Sequence, residues 1–88
     1  MTGEKFRVDV QVRQRPELPW SLVHVQVCDD PETAKRTLVQ AVSDHTQAMA
    51  PESREIMGRV LISMPGMNPV EIARKVVRGT TEVQRWNL

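Results

Sequence analysis

The chain has 88 residues, of which 40% are hydrophobic and 26% charged, and its net charge is +1. That length accommodates a single domain over residues 1–88, that balance excludes a disordered chain, and a charge so near neutral excludes the strong basic field of a dedicated DNA-coating protein. A lone cysteine, Cys28, excludes an internal disulfide, and no run reaches the roughly 18 apolar residues of a membrane span.

The segment Lys5–Arg15 alternates. Phe6, Val8, Val10 and Val12 fall on one side, and Arg7, Asp9, Gln11 and Arg13 on the other. Period two predicts a strand with its first set in the core. Pro16 and the Pro-Glu-Leu-Pro stretch break the ladder, because proline lacks the amide donor. A second alternating run covers Trp20–Cys28, with Val23, Val25 and Val27 on one face and Leu22, His24, Gln26 and Cys28 on the other. Two such runs joined by a short turn-rich link predict a β-hairpin.

Asp-Asp-Pro-Glu follows. Asp30 suits the N-cap and Pro31 the first helical turn. The spacing predicts a helix from Pro31 to about Met49, with Ala34, Leu38, Ala41, Val42, His45 and Met49 on one side. Pro51 stops it. A third strand is predicted over Ile56–Met64. Pro65-Gly66 then suits a turn, and Asn68, Pro69 and Glu71 read as the start of a second helix running to about Trp86. Its stripe is Ile72, Val76, Val83 and Trp86. Gly79 lies within that span, where it would cost a helix about 1 kcal/mol relative to alanine.

The expected fold is therefore α+β, in the order ββαβα. It has a three-stranded antiparallel-type sheet of strand order 2-1-3, with both helices packed on one face. Thirteen valines against one phenylalanine and no tyrosine agree with a strand-rich core. Nine arginines stand against three lysines, a skew that a GC-rich, bacterial-type genome would produce.

The chemistry-bearing residues assemble into no catalytic pattern. His24 and Cys28 are four apart on a strand, about 13 Å, which is too far for two ligands of one zinc ion. His45 fits a packed histidine on the helix stripe. Asp29, Asp30 and Glu32 are accounted for by capping. No glycine-rich phosphate loop occurs among the four glycines. No cofactor, no metal and no enzymatic activity are expected.

What remains is surface. The sequence predicts a small non-enzymatic interaction module that binds another protein or itself, as a homodimer, through the helix-free sheet face or an edge strand. Arg7, Gln11, Arg13, His24, Arg59 and Leu61 are the residues expected to make that contact, since arginine is favoured at interface hot spots. The alternative is a nucleic-acid-associated accessory protein using Arg74, Arg78 and Arg85, which a C-terminal helix would align as a rib. No membrane association is expected. The absence of an apolar leader in Met1–Val10 and the single cysteine point to the cytoplasm.

Overall fold

The structure, a computed structural model, describes residues 3–86. It contains β1 (Lys5–Arg13), β2 (Ser21–Cys28), α1 (Pro31–Ala48), a short 3-10 turn (Pro51–Ser53), β3 (Glu55–Ser63), β4 (Val70–Arg78) and β5 (Thr81–Trp86). The strands form one five-stranded sheet of order β2-β1-β3-β4-β5, antiparallel at every pairing. The helix carries the chain over β1, from one flank of that strand to the other. The expected three-stranded sheet with two helices is thus overturned: the sheet has five strands, and α1 is its one α-helix among the described residues.

The misread segment is the last one. Pro69–Trp86 is a β-hairpin, and Asn68-Pro69 leads into a strand instead of capping a helix. Two residues, Gly79 and Thr80, join β4 to β5, and Arg78 pairs with Thr81 across the turn. Gly79 has φ +60, which a short hairpin loop demands and a side chain resists. The residue that weakens a helix is therefore the one that makes the turn. Val76, Val77, Thr81 and Val83 are β-branched and lose less in a strand than in a helix. Strand pairing also buries Ala73 and Val77 beside β3, which a helix stripe on Ile72, Val76 and Val83 would leave outside.

The core lies between α1 and the sheet. Phe6, Val8 and Val10 of β1 and Ile56 and Val60 of β3 meet Ala34, Leu38, Ala41 and Val42 of the helix. Asp30 caps α1 by accepting from the Thr33 amide at 2.8 Å and the Thr33 hydroxyl at 2.7 Å. Those two bonds hold the Asp30 carboxyl below its ordinary range. Gly58 faces the helix from the middle of β3 and lets it approach, because a β-carbon there would meet Leu38 and Val42.

Arg54 ties the two halves together. Its Nη1 donates to the carbonyls of Thr46 at 2.7 Å and Met49 at 3.2 Å, the open C-terminal end of α1. Its Nε donates to the Gly79 carbonyl at 2.7 Å, with Nη2 on the same oxygen, while the Gly79 amide donates back to the Arg54 carbonyl at 3.1 Å. One side chain thus caps a helix and anchors a turn 25 residues further on. Arg54→Ala should cost about 2–3 kcal/mol, since it strips charge-assisted bonds from half-buried carbonyls. Urea denaturation would measure the loss, and hydrogen exchange should show the Gly79 amide losing protection first. Unchanged stability would mean water replaces the clamp.

Candidate docking surface

Opposed residues of antiparallel strands point to the same face, so the register decides what the helix-free side presents. Four rows cross it. The first runs Val27, Arg7, Leu61, Glu71. The second runs Val25, Asp9, Arg59, Arg74, Arg85, and the third Leu22, Gln11, Met57, Val76, Val83. The fourth runs Arg13, Glu55, Arg78, Thr81.

The arginines predicted to dock are on this face, yet most are engaged at home. Asp9 is only 2% exposed and accepts from Arg59 Nε at 3.0 Å and Nη2 at 2.9 Å, with Arg7 at 3.5 Å. These bonds raise the Arg59 guanidinium above its ordinary value. Glu55, also buried, receives Arg13 at 3.2 Å and Arg78 at 3.1 Å on one oxygen. Arg13 stacks on Trp20, with its guanidinium carbon 4.2 Å from the ring centre. Leu61 is buried and Gln11 half-buried. The middle of the face is therefore an internally paired charge network, with Arg13 Nε and Glu55 Oε2 buried and left without a hydrogen-bond partner.

His24 does not join it. It pairs with Val10, as Gln26 pairs with Val8 and Cys28 with Phe6, so all three turn toward the helix side. The expected orientation of β2 is reversed. A one-residue change of register exchanges the two faces of a strand, and sequence alternation alone does not say which face is in. Cys28 is buried beneath α1, its thiol 3.8 Å from the Thr37 hydroxyl. His24 instead lines a cleft of about 370 Å³ beside α1 with His45, Asp44 and Gln40. His45 sits two helical turns, about 12 Å, along from Thr37, so Cys28 and His45 do not form a couple. Among the described residues no three His, Cys, Asp or Glu side chains come together as a metal-holding group, and no helix is long and apolar enough to cross a membrane.

What the sequence reading missed is the aliphatic edge. With β2 reversed, Val25 (50% exposed) and Val27 (59%) lie on the helix-free side, and an irregularity at Val23 keeps Leu22 (59%) on that side, as expected. α1 lies over β1 and β3 and only grazes β2. β2 is also an outer strand, with one row of backbone donors and acceptors outside the sheet. Its sequence, SLVHVQVC, holds no Asp, Glu, Lys, Arg or Pro, the devices that normally blunt an edge. The opposite edge, β5, has six residues and includes Glu82 and Arg85.

Arg74, Arg78 and Arg85 do come together, on strands instead of a helix. Arg74 and Arg85 are cross-strand partners and Arg78 lies four residues along β4. A bulge helps. β3 meets Ala73 and then Glu71, so Ile72 is inserted and Glu71 shares a face with Arg74, its partner at 2.9 Å. Comparison with protein-family models, curated proteins and solved structures gives no match.

Proposed function

We propose that this chain is a protein-interaction module whose partner is a second copy of itself, joined β2 to β2 across a twofold axis. The observation that carries this reading is the unprotected edge: eight uncharged residues with Leu22, Val25 and Val27 exposed along one side. The strand is self-complementary. An antiparallel pairing centred on Val25 sets Val25 against its twin, with His24 opposite Gln26 on the other face. A closed, isologous contact of this kind satisfies the open backbone row and sets the aliphatic strips of both copies side by side.

Sedimentation equilibrium or light scattering tests the idea. The wild-type chain should run at twice its mass. Val25→Lys, which places an ammonium group at the centre of the strip, should give a monomer with the wild-type circular dichroism spectrum. A monomeric wild type, or a dimer indifferent to Val25→Lys, would overturn the reading.

A further inference from the structure

The helix-free face of the β4–β5 hairpin holds a concavity of about 600 Å³ that no described segment of the chain fills. That volume lies within the roughly 300–1,000 Å³ range of ligand clefts. Its floor is the cross-strand pair Val76 and Val83. Arg74 and Arg85 stand opposite each other on one side of that pair, and Arg78 with Thr81 on the other. Three guanidinium groups therefore surround an aliphatic floor, against one carboxylate, Glu71, which is held by Arg74 at 2.9 Å. Arg85 has no carboxylate partner among the described residues, and Arg78 is two-thirds exposed although its Nε meets Glu55. Like charges directly opposed across a ladder destabilise it, so the Arg74–Arg85 pair carries a repulsion that an incoming anion would relieve.

We propose that this groove binds an extended acidic peptide segment in which two carboxylate side chains flank an aliphatic one, in the order acid, spacer, aliphatic, spacer, acid. The dimensions match. Arg74 and Arg78 are four strand residues apart, about 13 Å, with Val76 between them. In an extended peptide, residues one, three and five project to the same side with the same pitch. Each outer carboxylate meets an arginine fork, which pairs with it through two parallel bonds, and the central side chain rests on Val76 and Val83. Single-stranded nucleic acid fits less well. Base recognition on an open sheet uses aromatic platforms, and this groove contains none. The groove is at the β5 side of the sheet, so it stands or falls independently of pairing through β2.

The probe is a fluorescein-labelled heptapeptide, Thr-Glu-Thr-Val-Thr-Glu-Thr, titrated with the full chain and followed by anisotropy. Saturable binding is expected, weakened roughly tenfold when both glutamates become glutamine and by a similar factor for Arg85→Glu. Arg85 is exposed, and the substitution places a carboxylate opposite Arg74, so the melting transition of that variant should not fall. No saturation up to about 1 mM, or equal affinity for wild type and Arg85→Glu, overturns the proposal. Tighter binding of an oligo-deoxythymidylate with a steep salt dependence also overturns it, in favour of a phosphate-backbone ligand.

Discussion

Gly58→Val should leave the chain largely unfolded at room temperature. The site looks as if it invites the change, since valine is a better strand former than glycine and Gly58 lies mid-strand in β3, between Val10 of β1 and Lys75 of β4. Packing decides otherwise. A β-carbon at Gly58 would lie 2.5 Å from Leu38 Cδ1 and 2.6 Å from Val42 Cγ2. Both side chains are fully buried, and Val42 is β-branched, with little rotamer freedom on a helix. They have nowhere to go, so the helix must lift. Even Gly58→Ala should cost about 2 kcal/mol by overpacking. Valine adds two methyl groups, and lifting α1 returns Leu38, Val42 and the valines beneath them to water at about 1.5–3 kcal/mol each. A domain this small holds only about 5 kcal/mol in total. Thermal and urea melts of the two variants against wild type would measure the series. A Gly58→Val protein that melts with the wild type would show that the helix sits higher than described.

Arg59→Met should cost about 3 kcal/mol, even though Arg59 belongs to the polar face of the sheet. The cost falls on Asp9. Its side chain is 3% exposed, and without Arg59 it retains only the 3.5 Å contact from Arg7. A buried carboxylate stripped of its main partner is penalised more than the pair was ever favourable. The Arg59 side chain is 25% exposed, so water offsets part of the loss and keeps the figure at the lower end for buried pairs. The contrast is the double variant Asp9→Val with Arg59→Met, which removes both charges and should recover most of the lost stability. Chemical denaturation of the two single variants and the double one yields the coupling directly. If Arg59→Met is silent, the Asp9 carboxylate is hydrated and the pair is a surface one.

The parts of the fold that could be read from the chain are those where one local signal has no rival. The alternation from Phe6 to Arg13 admits only a strand, and Asp30-Pro31 followed by Ala34, Leu38, Ala41 and Val42 admits only a capped helix. Pro69–Trp86 carried two signals at once. Ile72, Val76 and Val83 approximate a helical stripe, while Gly79-Thr80 between valine-rich runs marks a two-residue hairpin, and tertiary pairing with β3 decided in favour of the second. The candidate docking face was half legible for a different reason. Arg7, Arg13 and Arg59 do occupy the helix-free side, because β1 and β3 are read from their own cores. The engagement of Arg13 with Glu55 and of Arg59 with Asp9 depends on contacts 42 and 50 residues apart, which no local pattern encodes. His24 and the β2 valines exchanged places because this outer strand meets the helix less than β1 and β3 do and sends only Cys28 into the core, too little for its alternation to reveal the inward face.

The two margins of the sheet differ in kind, and under the proposed pairing that difference would set the stoichiometry. Had both been smooth and neutral, a copy docking by one margin would offer the other to a third, and growth would run on into a filament. Here only β2 is of that sort, while β5 is two residues shorter and bears opposite charges at Glu82 and Arg85. If two copies pair β2 to β2 as proposed, that margin is consumed in both, and the assembly would end at two.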